Sequence, residues 1–300
     1  MSAAVDRQFS GIPADLKERL RKAVGTLNML PAVAVQALQI ANNPDCDLGK
    51  LAGVIQRDLK LTTMILRMAN SALFSPPKPI ASLHHAVLTI GLRRCRDFIV
   101  TAGLDSVSRK VPPELKAQRE LLWRHGFVTA LFAMKVNQLL GLRFQGEEFT
   151  AGLMHDFGRT LLAVADPEAF SRIDVLDFVE GDDAEGRERE AIGTSHAEFG
   201  AWFAATNELP ESLVGAIQFH HAPEAAGPHV QLAALVAVAD HMANHIQRGE
   251  PPETYNSMTD GAMLVLEQSG ARRATDVFAA AVARLLVEGP VIADSLMKDA

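Results

Sequence analysis

Apolar residues return every three to four positions along most of this chain, with polar residues on the opposite helical face. Val35, Leu38 and Ala41 keep that spacing over residues 31–42, and Leu61, Ile65, Leu66 and Met68 keep it over 59–70. Boundary residues frame the same stretches. Pro13 and Gly25 bound a helix over 12–24, and Asp47 is placed to cap one over 48–57. Ser82 is placed to cap another ending at Ile90, and Gly91 breaks it before a further helix to about Ser106. Ser75-Pro76-Pro77-Lys78-Pro79 cannot be helical. The later pattern predicts helices over 115–140, 147–164, from Asp166-Pro167 toward Gly181-Asp182-Asp183, from Ser195, from Pro210 to Phe219-His220-His221, over 230–247, and over 276–288. The expectation is an all-α fold without a sheet. It has an N-terminal helical part over 1–112 and a second part over 113–300, meeting near Pro112. The first part's helices are too short and apolar to stand alone.

Composition agrees with a helical protein that has a substantial core. Of 300 residues, 48% are apolar and only 6% aromatic, with a single Tyr. The net charge of −7 gives no support to nucleic-acid binding. Arg93-Arg94-Cys95-Arg96 is short and reads as a solvated helix face. Cys46 and Cys95 make no zinc motif and read as reduced thiols. The N-terminus has no signal-peptide core, and no run approaches the roughly 20 apolar residues of a membrane span. The expected location is the cytoplasm, away from membranes.

The chemistry gathers in the second half. His155-Asp156 interrupts an apolar run, and imidazole with carboxylate is a ligand pair for a divalent metal. Neighbours on a helix point about 100° apart, so the two serve one metal only where other helices converge on them. His125, His196, His220-His221 and Asp240 supply further donors. Asp240 lies in the apolar stretch Val236-Ala237-Val238-Ala239, where a buried carboxylate needs a partner. A metal would be one; His221, Lys135 or an arginine would be another. His84 and His85 have no acidic neighbour and read as surface or hydrogen-bonded residues.

Leu30-Pro31-Ala32, Ile55-Gln56-Arg57-Asp58, Leu66-Arg67-Met68-Ala69-Asn70-Ser71-Ala72-Leu73-Phe74 and Leu88-Thr89-Ile90-Gly91-Leu92 together resemble the HDOD family, the HD-related output domains of bacterial signalling proteins. The resemblance covers roughly residues 21 to 222. It implies a multi-helical HD-domain-like bundle with an N-terminal helical layer, and a regulatory role. The order His125, His155-Asp156, His196, His220-His221, Asp240 is also similar to the HD superfamily of metal-dependent phosphohydrolases, especially the HD-GYP branch that cleaves cyclic dinucleotides. That similarity implies one or two divalent ions, of iron, manganese, zinc or magnesium, on these residues.

The departures weigh against the enzyme. The Gly-Tyr-Pro stretch that follows the histidine pair in that branch is replaced by Ala222-Pro223-Glu224. Its lysine three positions after the His-Asp pair is Arg159, which keeps the charge but not the geometry. Leu121 stands where some members carry a glutamate for a third metal. Two functional readings follow, beside a plainer one of a metal-free helical protein whose histidines form hydrogen-bond networks. In the first, the protein is a signalling output module whose site binds or senses a ligand, acting with other signalling proteins or a nucleotide or phosphoester. In the alternative it is a working phosphohydrolase, with Asp156 bridging the metals and Arg159 neutralising phosphate. The Pro76-Pro77 loop and the 181–186 loop are the partner surfaces the sequence offers.

Overall fold

Serine and aspartate caps start the helices where the pattern placed them. Asp47 accepts from the Gly49 and Lys50 amides, Ser82 from His85, and Ser195 from Glu198. The structure is a computed structural model that describes residues 3–24, 33, 36–37, 40, 46–70, 76–174, 176, 178 and 184–297. Its helices are α1 (Ala3–Gln8), α2 (Ala14–Val24), α3 (Leu48–Ile55), α4 (Leu59–Asn70), α5 (Leu83–Ile90), α6 (Leu92–Ser108) and α7 (Lys116–Leu140). Then come α8 (Glu147–Met154), α9 (Phe157–Ala165), α10 (Pro167–Ile173), α11 (Ala184–Ile192), α12 (His196–Thr206) and α13 (Glu211–Phe219). The last are α14 (Val230–Gln247), α15 (Gly261–Gln268), α16 (Ala274–Ala279) and α17 (Val282–Met297). Among the described residues there is no strand, so the fold is all α. The helix expected over 31–42 and the acidic stretch 181–183 lie largely outside the described residues.

The chain divides into two units. The larger comprises residues 1–27 and 108–289, and the smaller 28–107 and 290–300. In the smaller unit, α5 packs against α3 and α4 over buried Leu51, Ile55, Leu61, Ile65, Leu83, Val87 and Ile90. Asn70 ends α4 by clamping Ile80: its amide donates to Ile80 O at 2.8 Å and its Oδ1 accepts from Ile80 N at 2.7 Å. That two-way bond fixes the chain that returns after the proline loop. His84 and His85 are exposed on α5, as expected of them.

In the larger unit α7 is the axis. It packs along α8 and α14, while α12 joins α13 and α9. The α2 helix lies on α9, and Arg19 reaches Asp166 at 2.5 Å. Two glycines let these helices touch. A Cβ on Gly152 would stand 2.9 Å from Ala130 Cα on α7, and one on Gly158 would stand 1.8 Å from the His196 carbonyl oxygen on α12.

Three expected helices differ. The one over 147–164 breaks at His155-Asp156, where Asp156 adopts φ −97°, ψ 5° between α8 and α9. Tight seating of Gly152 on α7 and Gly158 on α12 sets different directions for the two halves. The one from Pro167 ends at Ile173. The one over 276–288 is two helices, α16 and α17, parted in the run Ala279-Ala280-Ala281. Those alanines contain no breaker, and no local rule accounts for the parting.

Candidate metal centre

The break between α8 and α9 aims two adjacent residues at one place. His155 comes from the end of α8 and Asp156 from the start of α9. His125 projects from the middle of α7, His196 from the first turn of α12, His220 and His221 from the end of α13, and Asp240 from the middle of α14. Every histidine and aspartate of the sequence series arrives in one cluster. His125, His155, Asp156, His196, His220 and Asp240 are buried, and His221 is exposed.

The donors fall into two groups that share Asp156: His125 and His155 with Asp156, and His196, His220 and His221 with Asp156. In the first group, His125 Nε2 and His155 Nε2 are 3.2 Å apart, and lie 2.9 and 3.2 Å from Asp240 Oδ1. They lie 3.7 and 3.8 Å from the oxygens of Asp156. In the second, Asp156 Oδ1 is 3.2 Å from His196 Nε2 and 3.7 Å from His220 Nε2. His196 Nε2 is 3.5 Å from His220 Nε2 and 3.0 Å from His221 Nε2. Donors about 2.1 Å from one ion stand roughly 3.0–3.4 Å apart for octahedral to tetrahedral angles. The observed separations cluster around that range.

The protons point the same way. His155 Nδ1 donates to Gly152 O and His220 Nδ1 to Ile217 O, both at 2.7 Å. His196 Nδ1 donates to Glu188 at 2.8 Å, and His125 Nδ1 donates to Gln247 Oε1. Carbonyls and carboxylates only accept, so each Nδ1 keeps its hydrogen and each Nε2 turns a lone pair inward. Nitrogens turned toward one another at these distances suit a shared cation, a proton or a metal ion. Asp240 Oδ1 is buried between two imidazole nitrogens, those of His125 and His155, at 2.9 and 3.2 Å. The donor set therefore fits a divalent ion in each group.

Titration follows the same field. Burial resists ionisation of Asp156, but Arg159 and His155 override it and hold the carboxyl well below its usual range. Asp240 behaves likewise, with His155 and His125 as the opposing charges. Burial disfavours protonated His155, yet Asp156 and Asp240 raise it to about 9. His196 is raised by Glu188 and Asp156 against the same burial. The carboxylates collect positive charge, and metal would displace the protons that otherwise supply it.

Arg159 lies behind Asp156. Its NH1 donates to Asp156 Oδ2 at 2.8 Å, and its Nε and NH2 grip Asp174 at 2.7 and 2.5 Å. Its guanidinium lies 5.6 Å from the Phe178 ring centre, and that ring stands 5.0 Å from the His125 ring. The partners of Asp240 are His125 and His155, and Lys135 instead pairs with Glu288 at 3.8 Å. Residues 223–229 form a kinked 3-10 segment after the histidine pair, with Glu224 exposed.

Sequence reasoning missed Asp174, Phe178, Glu188 and Gln247. Asp174 carried a usable signal, since it stands between Ile173 and Val175 as Asp240 stands among valines and alanines. Glu188 carried none. In Glu185-Gly186-Arg187-Glu188-Arg189-Glu190 it is indistinguishable from its solvated neighbours.

Comparison with known proteins places this geometry. The profile of the family described as the HDOD domain matches residues 27–223. An HDOD domain protein of unknown function from Geobacter sulfurreducens has a similar structure, with a TM-score of 0.74 and 25% identity, covering 89% of this chain and 92% of that one. A candidate phosphohydrolase from Shewanella amazonensis shares the fold at a TM-score of 0.67 and 23% identity, covering 94% of this chain and 98% of that one. An uncharacterized protein of Treponema pallidum is 26% identical over 250 residues, which are 83% of this chain. The match spans about half of that relative, 47% of its length. No described helix is long and apolar enough to cross a membrane.

Proposed function

The chain belongs to the HDOD family, and on that premise we propose that it is a bacterial signal-transduction output protein whose larger unit holds a divalent-metal pair as a binding or sensing element. The observation that carries this reading is the engagement of Arg159. The cation best placed to neutralise a phosphate is tied bidentately to Asp174 and by a further bond to Asp156. The Phe178 ring closes over it and over His125. In this reading Arg159 orients the carboxylate that the two donor groups share rather than gripping a substrate. The protein acts in the cytoplasm through other signalling proteins or through a nucleotide or phosphoester ligand.

The alternative, a metal-dependent phosphohydrolase, rests on one specific observation: Asp156 belongs to both donor groups. A bound pair would supply an activated water and a charge clamp for a phosphoryl oxygen. On the protein side, Asp156 would hold the two positions at a fixed separation. Arg159 would keep Asp156 ionised, and the fixed Nε2 lone pairs would complete the shell. Exposed His221 marks the side from which a ligand would enter.

The test is metal analysis of the purified protein followed by assays with cyclic di-GMP and a generic phosphodiester in iron or manganese. Bound metal without turnover of cyclic di-GMP is the expected result. Efficient turnover abolished by Asp156→Ala overturns the output-module reading and makes the protein an enzyme.

A further inference from the structure

The two donor groups are unequal in charge. The first has Asp240 as a carboxylate of its own beside the shared Asp156, whereas the second has three imidazoles and only the shared carboxylate. Asp156 is itself partly neutralised by Arg159 at 2.8 Å. A divalent ion in a buried site needs negative charge close by, because little solvent remains to screen it. By this measure the second position is short of charge.

Glu188 supplies it from behind. The Nδ1 atoms of His125, His155 and His220 face neutral oxygens, from Gln247, Gly152 and Ile217. His196 Nδ1 faces a carboxylate, at 3.0 and 2.8 Å from the two oxygens of Glu188. The same carboxylate accepts the His196 backbone amide at 2.7 Å. The Glu188 side chain is 12% exposed and the His196 side chain 5%, so the contact is shielded from solvent. One residue of α11 thus fixes both the ring and the first backbone turn of α12, and it sends negative charge through the imidazole toward Nε2.

We infer that Glu188 is the positioning residue that makes the His196, His220 and His221 position able to hold a divalent ion, standing in for the ligand carboxylate that Asp240 gives the other position. The inference rests on the metal-centre reading above. It predicts that the two positions respond separately to substitution.

The experiment is calorimetric titration of the metal-free protein with cobalt(II), with the visible cobalt spectrum recorded in parallel. The wild-type protein is expected to take an ion in each group. Glu188→Gln keeps an oxygen acceptor but removes the charge. It is expected to leave one binding step intact, to weaken the other by about 10–100-fold, and to lose the spectral band that grows with that step. Metal-free Glu188→Gln is expected to keep the wild-type far-UV circular dichroism and the binding step of the Asp240 side, which a loss of the fold would not allow. Glu188→Ala is expected to lose the same step and regain it when formate is supplied. Two unchanged steps in Glu188→Gln overturn the inference and leave the metal centre standing. A wild-type protein that binds no cobalt overturns both.

Discussion

A Cβ on Gly158 would stand 1.8 Å from the carbonyl oxygen of His196 and 2.6 Å from its carbonyl carbon. The start of α9 therefore lies directly on the first turn of α12, and this contact brings Asp156 to His196. Backbone cannot rotate away as a side-chain tip can. Gly158→Ala must move one helix, and a shift of an ångström is enough to spoil donor spacings that differ by less than that. We expect a loss of at least about 3 kcal/mol in urea unfolding, at the upper end of overpacking penalties, together with lost metal. Gly53→Ala is the contrasting case. Gly53 is exposed on α3, with nothing within 4 Å of its would-be Cβ, and the change should stabilise by about 0.5–1 kcal/mol through helix propensity. Equal effects of the two substitutions would contradict the close contact.

Asp156 and Asp240 should separate in metal content. Asp156 belongs to both donor groups, whereas Asp240 Oδ1 lies beside His125 and His155. Asp156→Ala is expected to empty both positions. Asp240→Ala should empty one and leave the His196 group filled. Elemental analysis after dialysis against manganese or zinc reads this directly. Equal metal loss in the two variants would mean that the groups do not act as separate positions.

Much of this site was legible because metal donors are rare inside apolar helices. Asp240 among valines and alanines and the His155-Asp156 pair stand out from sequence alone, and Asp47, Ser82 and Ser195 mark helix starts by local chemistry. The break at His155-Asp156 was not legible. Nothing there breaks a helix by propensity, and the cause is tertiary: Gly152 seats on Ala130, and Gly158 on His196. Glu188 was hidden for a related reason. A glutamate in a charged helix looks solvated until the fold turns it toward a histidine. Arg159 was visible as a cation near the site, but its bond to Asp174 depends on where α10 ends.

The cysteines should differ in reactivity. Burial first, then Asp97, pushes the Cys95 thiol up to about 12, and its side chain is fully enclosed in the smaller unit. Cys46 is raised too, by burial and then Asp47, but it is partly exposed. Thiolate is the nucleophile, so iodoacetamide at pH 8 should label Cys46 in the native protein and spare Cys95 until denaturant is added. Mass spectrometry of the labelled peptides distinguishes them. Rapid native labelling of Cys95 would contradict its enclosure.

Acid should release a clasp between α14 and the start of α15. Asp260 caps α15 by accepting from the Met263 amide at 3.2 Å, and it also accepts from His241 Nδ1 at 3.0 Å and from Tyr255 OH at 2.6 Å. Burial works against its charge, but His241 and Tyr255 outweigh it and lower the pKa below 3.8. A carboxyl with a depressed folded pKa stabilises fully above its unfolded value. That stability drains away as pH falls through 3.8 toward the folded value. Asp260→Asn loses the charge at every pH, so its stability deficit should be about 1–3 kcal/mol near neutrality and should shrink below pH 4. Tyr255→Phe should show a smaller deficit, since Met263 and His241 still hold the carboxylate. Urea unfolding from pH 3 to 7 measures both. A deficit for Asp260→Asn that stays constant as the pH falls below 3.8 would assign the residue to packing rather than to its charge.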